Sequence, residues 1–255
     1  MRVPILFIHG TAGKPGHFDA WVRYFERAGH RCVAPALPGH APDDPAALGR
    51  LTFDDFVSAS AEVAAGLGEA PVIVGYSIGG VIAQAIAATN ACVGLVLVAS
   101  PPAEPYLPGW PLIIDGAPYF WPVLTGKAFK PSPKTLKALL LHDLAPAEQD
   151  EIIGDFGHES GRALRALALG HARVAAAEVR CPVMLVHGAR DRVVPLATAT
   201  ALARRLAAEF LIVPGRGHWL LADSLTETIV PYVADWIGRL PAPAAVPSFR
   251  PAGEL

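Results

Sequence analysis

The sequence predicts an α/β chain: an open, mostly parallel sheet of about six strands, helices on both faces, and a helical cap inserted into the core. Three observations lead there. Short apolar runs recur as continuous stretches, not as apolar–polar alternation, which is what a parallel sheet covered on both sides requires. Between them, apolar residues repeat at helical spacing, and strand–helix alternation implies right-handed crossovers and an open sheet. The rhythm stops at Ser100-Pro101-Pro102 and resumes only near residue 182.

In chain order, Val-Pro-Ile-Leu-Phe-Ile at 3–8 reads as the first strand, and Phe18, Trp21, Val22 and Phe25 mark one face of a helix. Strand 31–35 follows, then a helix carrying Phe53, Phe56, Val57, Val63 and Leu67. Strand 71–75 leads into a small-residue helix over 81–88, and strand 93–98 closes the first half. Residues 101–176 hold two Trp and two Tyr, are rich in Pro, and show helical periodicity with no strand. Ser132-Pro133 and Ala145-Pro146 read as helix starts, with Pro in the first turn, where its missing N–H costs nothing. Strands 182–187 and 210–213 flank a helical stretch over 197–208. A final helix should run to about Leu240, kinked or shortened by Pro231. The expected organisation is a core over 1–100 and 177–240, a cap over 101–176 and a disordered, Pro-rich tail over 241–255.

Composition narrows the function. Of 255 residues, 52% are apolar and 17% charged, which suits a buried parallel sheet and argues against disorder. The formal net charge is −2 and no Lys/Arg run exceeds Arg204–Arg205, so neither nucleic acid nor an anionic membrane surface is an expected partner. No apolar stretch is long enough to span a bilayer, and the first one reaches His9-Gly10 too soon for a signal peptide; a cytoplasmic location is the expectation. Cys32, Cys92 and Cys181 are odd in number and lack CxxC spacing, so they read as small core side chains, not as a disulfide framework or zinc site.

The chemistry centres on Gly75-Tyr76-Ser77-Ile78-Gly79-Gly80, which follows one strand and opens a helix. A strand turning at once into a helix holds the Ser in a strained conformation, and the residues two positions away must lack side chains. The turn exposes the Ser hydroxyl at the positive end of the helix, where a developing oxyanion is stabilised.

With an early His9-Gly10, a late Asp191 and a late His218, this motif resembles the α/β-hydrolase superfamily, in the order nucleophile, acid, base. The resemblance covers nearly the whole chain apart from the tail. It implies an eight-stranded, mostly parallel sheet with the active site at the strand ends beneath a variable cap. The chain departs from that pattern by starting at the His9-Gly10 strand, so the two antiparallel strands that come first look absent and an edge strand is left unprotected.

By that similarity, the N–H groups of Thr11 and Ile78 form the oxyanion hole. The base must be a His on a loop after the last strand; His218, preceded by Gly215 and Gly217, meets this, and a neutral imidazole can accept the Ser proton and return it. Asp191 lies 27 residues earlier, just after the preceding strand, as an acid that orients the imidazole. Its competing reading is a salt bridge to Arg190 or Arg192, and Glu104 is the fallback acid. Ser at 77, in place of Asp, argues against dehalogenase and epoxide-hydrolase chemistry. His9 and His40 read as structural. Asp155, His158 and Glu159, near His142 and Glu151, read as solvated charges, and no metal or cofactor is expected.

Tyr76 and Trp219, flanking the nucleophile and the base, and Trp110 and Trp121 in the cap are expected to border the substrate. Their apolar character points to a small-molecule ester of small to medium, largely apolar groups. Lactone, thioester or C–C bond hydrolysis and perhydrolysis use the same machinery, and a non-catalytic receptor built on the same pocket is the reading from another class. The sequence leaves the acyl and alcohol groups and the oligomeric state open.

Overall fold

In a computed structural model, residues 2–90, 92–106 and 108–241 are described. Six strands form one sheet: β1 (Pro4–Ile8), β2 (Arg31–Val33), β3 (Val72–Tyr76), β4 (Gly94–Val98), β5 (Val183–Gly188) and β6 (Glu209–Val213). Their spatial order is β2-β1-β3-β4-β5-β6 and every pairing is parallel, so each predicted strand is present within two residues of its expected bounds.

Two apolar cores explain why the strands read as continuous runs. Successive residues point to opposite faces. Ile5, Phe7, Val72, Val74, Val96 and Val98 therefore face one side, and Leu6, Ile8, Ile73, Leu95 and Leu97 face the other. The first side is covered by α1 (Asp19–Arg27), through Trp21 and Phe25, and by α11 (Asp223–Gly238). The second is covered by α3 (Phe53–Ala65), α4 (Ile78–Thr89) and α10 (Leu196–Arg205). Each fully buried aliphatic or aromatic side chain contributes roughly 1.5–3 kcal/mol, so double coverage carries the fold. A short α2 (Pro45–Leu48) precedes α3, whose start is fixed by a capping box in which Thr52 and Asp55 satisfy each other's backbone N–H.

Between β4 and β5 the chain is helical: α5 (Trp110–Asp115), α6 (Phe120–Thr125), α7 (Pro133–Leu139), α8 (Pro146–Ile153) and α9 (Gly161–Ala168). Both predicted Pro starts are used, and Ser132 caps α7 by accepting the Thr135 N–H at 3.2 Å. The helical reading omits one contact, an isolated bridge between Phe129 and Glu159.

Three expectations change. Helix α11 runs through Pro231 to Gly238 without being cut short. Pro231 leaves the Glu227 carbonyl without a helical donor, but Glu227 is on the exposed face, while Ile229, Val230, Val233, Trp236 and Ile237 hold the inner face. The cysteines are half-buried, not core residues, and the thiols of Cys92 and Cys181 meet at 2.7 Å where the starts of β4 and β5 lie side by side. The tail expected to be disordered lies, after Pro241, outside the described residues.

Candidate active site

The site forms where the carboxyl ends of β1, β3, β5 and β6 meet. Ser77 is the hinge between β3 and α4, with φ 53° and ψ −122°. L-residues seldom occupy this region, and its cost of about 1–3 kcal/mol must be offset by the surroundings. The Ser77 N–H donates to the Val98 carbonyl at 3.0 Å, and packing closes on the turn from both sides. A Cβ at Gly75 would overlap the Gly79 carbonyl, and one at Gly79 would overlap the Ile8 carbonyl. The glycines thus answer to backbone contact across the turn.

His218, on the loop after β6, lies between Ser77 and Asp191. Its Nδ1 is 2.8 Å from Asp191 Oδ2 and its Nε2 is 3.1 Å from Ser77 Oγ. Carboxylate Oδ2 can only accept, so Nδ1 carries the proton and Nε2 is left to accept the Ser77 hydroxyl. The Asp191 side chain is fully buried, and its Oδ1 accepts the N–H groups of Val193 and Val194 at 2.7 and 2.9 Å. Burial pushes this carboxyl up, but the His218 imidazole and the backbone donors outweigh it and hold Asp191 below the usual carboxylate range.

Among the described residues Asp191 forms no ion pair with Arg190 or Arg192. Arg192 donates to the Ala138 carbonyl at 2.9 Å, and Glu104 pairs with Arg205. One neighbour is not foreseen: His187, fully buried in β5, has its Nε2 3.6 Å from Asp191 Oδ2 and donates to the Val194 carbonyl at 3.0 Å. Burial lowers its pKa, which keeps the ring neutral beside the carboxylate. In sequence it is one more His at a strand end, and only its position four residues before Asp191 hints at the contact.

The loop after β1 approaches Ser77 from the other side; a Cβ at Gly10 would lie 3.1 Å from the Ser77 Cβ. His9 is structural. Its Nδ1–H donates to the Gly10 carbonyl at 3.0 Å and its Nε2 accepts the Leu37 N–H at 3.0 Å, while burial, with His40 nearby, pushes its pKa down to about 3. The Gly10 carbonyl also accepts the Gly13 N–H at 3.0 Å. Peptide planarity then turns the Thr11 N–H away from that bond. Among the described residues, neither the Thr11 nor the Ile78 N–H has a hydrogen-bond partner.

Glu159 is the residue that sequence reasoning misplaced. It is not a solvated charge but 0% exposed, accepting the Ala12 N–H on Oε2 at 2.9 Å and the Ser160 N–H on Oε1 at 2.6 Å. His40 Nε2 lies 3.5 Å from the same carboxylate. Burial pulls the His40 pKa down, but Glu159 more than reverses this, so the pKa is raised. Gly157 adds a bond from its N–H to the Ala12 carbonyl at 2.8 Å, and Ala12 is held at φ 54°. Asp155 pairs with Lys14 and His158 with Asp43, and among the described residues no group of three or more His, Cys, Asp or Glu is placed to hold a metal.

The four aromatic expectations divide. Tyr76 and Trp219 are buried beside His218, with ring centroids 5.3 Å (Tyr76–His218) and 5.5 Å (Tyr76–Trp219) apart. Trp110 and Trp121 do not join them: α5 and α6 turn these side chains outward, to 75% and 64% exposure. Ser77 is itself only 9% exposed, and the insertion reaches the loops that bear His218 and Asp191: the Trp219 N–H donates to the Leu140 carbonyl at 3.2 Å and His142 Nε2–H to the Arg190 carbonyl at 3.1 Å. Among the described residues no helix is long and apolar enough to cross a membrane.

No curated protein matches the chain. Among solved structures, the monoacylglycerol lipase of Paleococcus ferrophilus is similar at TM-score 0.73 and 19% identity, covering 92% of this chain and 93% of that one. A pyrethroid hydrolase from Sphingobium faniae is similar at TM-score 0.71 and 20% identity, covering 94% and 98%, and a methylesterase from Arabidopsis at TM-score 0.73 and 12% identity, covering 93% and 100%. At these identities the likeness speaks to the fold. A sequence model of the alpha/beta hydrolase family matches residues 5–229, and with the sheet order and strand-to-helix hinge described above, this chain belongs to that family.

Proposed function

We propose that the chain is a serine hydrolase that cleaves a carboxylic ester of a small to medium, largely apolar substrate, without a cofactor. The observation that carries this reading is the hydrogen-bonded line from Ser77 Oγ through His218 to Asp191, at 3.1 and 2.8 Å. Ser77 attacks the ester carbonyl while His218 Nε2 takes its proton, and Asp191 holds the tautomer and stabilises the imidazolium. The Thr11 and Ile78 N–H groups receive the oxyanion; losing one such donor costs roughly 3–4 kcal/mol of transition-state stabilisation. His218 then protonates the leaving alcohol, and water, activated by the same imidazole, hydrolyses the acyl-enzyme. Lipases and methylesterases among proteins of this shape agree with an ester substrate.

Residues 101–176 act as a lid over a core formed by 1–100 and 177–240. Ser77 is nearly covered in the closed state, and the lid's contacts with the loops bearing Ala12, Asp191 and His218 make its displacement the route for substrate entry. Tyr76 and Trp219 supply an apolar floor beside the imidazole. A fluorophosphonate probe tests the reading: wild type is labelled and Ser77→Ala is not, whereas a folded wild type that resists labelling overturns it. A panel of p-nitrophenyl esters of increasing chain length, beside lactones and thioesters, then fixes the bond and acyl size.

A further inference from the structure

Helices α5 and α6 carry an apolar patch that no other described residue covers. Among the described residues, six of the nine large hydrophobic side chains left exposed fall within 110–124: Trp110 (75%), Ile113 (47%), Ile114 (66%), Phe120 (67%), Trp121 (64%) and Leu124 (47%). Single exposed apolar residues are ordinary, but six large ones within fifteen residues of chain, on two helices joined by a short turn, mark an interaction site. The side chains protrude from two short helices, so what they meet must yield to them.

Charge identifies the partner. Four of the chain's five lysines, Lys127, Lys130, Lys134 and Lys137, follow the patch within eleven residues, and between 105 and 142 the only carboxylate is Asp115. Spaced three or four residues apart, they form no contiguous run and so escape a search for basic stretches. The fold keeps them beside the patch. The Tyr119 ring packs on Phe129 with centroids 4.9 Å apart, and its hydroxyl accepts the Ser132 N–H at 2.6 Å, which ties segment 127–134 to the turn between α5 and α6. Helix α7, bearing Lys134, packs on α5. Lys137 pairs with Asp150 at 2.6 Å, while Lys127, Lys130 and Lys134 are exposed and belong to no ion pair among the described residues. Arg165 adds a further cation, donating to the Leu124 carbonyl at 2.9 Å.

We infer that this face docks on an anionic lipid surface, with Trp110, Ile114, Phe120 and Trp121 entering the headgroup region and the lysines engaging the lipid phosphates. Protruding aromatic and aliphatic side chains rimmed by Lys are the composition of an interfacial contact, since indole rings favour the headgroup level and each nearby cation adds attraction to acidic lipid. A second copy of the chain fits less well, because pairing these faces brings two lysine clusters together.

Co-sedimentation of the full chain with vesicles of phosphatidylcholine alone, or of phosphatidylcholine with phosphatidylglycerol, tests the inference. The full chain should partition onto the acidic vesicles at low salt and come off as salt rises. Trp110→Ser with Trp121→Ser, both exposed and so harmless to the fold, should lower partition at least about tenfold. Each of Lys127→Glu and Lys134→Glu should lower it about fivefold or more. No binding to acidic vesicles, binding unchanged in the tryptophan variant, or a dimer in sedimentation velocity that the tryptophan variant dissociates without any vesicle binding would each overturn it.

Discussion

The carboxylate of Glu159 accepts the backbone N–H of Ala12 at 2.9 Å, joining the insertion to the loop that carries Thr11. With Gly157 bonding the Ala12 carbonyl, both sides of one residue in the left-handed region are held from the insertion. If that loop provides an oxyanion donor, Glu159 sets its aim. Glu159→Ala should strand a buried N–H and leave His40 without its counter-ion, a loss of roughly 2–4 kcal/mol in urea unfolding and at least about tenfold in kcat. Glu159→Gln, which keeps an acceptor for Ala12, should retain most of the kcat. Wild-type kcat in a folded Glu159→Ala variant would show that the loop holds its shape unaided.

Asp191→Asn separates orientation from fold. Its amide oxygen can still accept from Val193 and Val194, so the loop should keep its shape. The amide nitrogen, a donor, then faces His218 Nδ1 and favours the tautomer that places a proton on Nε2, toward Ser77. The expected loss is about 10³–10⁴-fold in kcat, with a near-native unfolding midpoint. Retention of activity above a tenth of wild type would move the acid's role to another residue.

Much of this fold is legible in the sequence because each strand is buried on both faces and its apolar run is unbroken, as in 72–76 and 94–98. Ser77, Asp191 and His218 are legible because each follows a strand that ends at the same edge of the sheet, so local pattern stands in for distance. Glu159 is not, because its burial depends on a loop 147 residues away in sequence, and its flanking glycines give it the look of a surface turn. Trp110 and Trp121 fail for the opposite reason: an aromatic residue in an insertion looks the same in sequence whether its helix turns it inward or out. Pro231, expected to kink or shorten its helix, does not shorten it: the residue that loses its donor, Glu227, lies on the exposed face, and the buried face is continuous on either side.

The hinge predicts a compensating pair. A Cβ at Gly80 would overlap both Cβ and Oγ of Ser100, and Gly80 lies in the first turn of α4, beside the hinge. Gly80→Ala should therefore destabilise by about 1–3 kcal/mol through overpacking. Ser100→Gly removes the obstructing atoms, at the cost of the Gln84 contact at 3.2 Å. The double variant should be more stable than the sum of the two single changes implies, by at least about 0.5 kcal/mol in a double-mutant cycle. Strict additivity would mean that the clash is relieved by movement of α4.

Acid should unfold this protein through its buried imidazoles. His17 lies between Phe156 and Trp219, with centroids 5.0 and 4.9 Å away, and neither ring nitrogen has a partner among the described residues. Burial pushes its pKa down to about 4, from 6.5 in the unfolded chain. A base with a depressed folded pKa binds its proton only on unfolding between those values, so the unfolded state takes up more protons there and stability falls as pH drops from 6.5 toward 4. The slope is at most about 1.4 kcal/mol per pH unit for one imidazole. His9, pushed down to about 3, adds a second term of the same sign. His40, whose pKa is raised, acts oppositely: its contribution is present below 6.5 and is lost as pH rises through its folded value. His17→Leu removes one acid-labile term at similar volume. Its stability relative to wild type should therefore grow steadily as urea midpoints are taken from pH 7 to pH 5. Parallel pH dependences for the two proteins would show that the folded chain already accommodates the His17 proton.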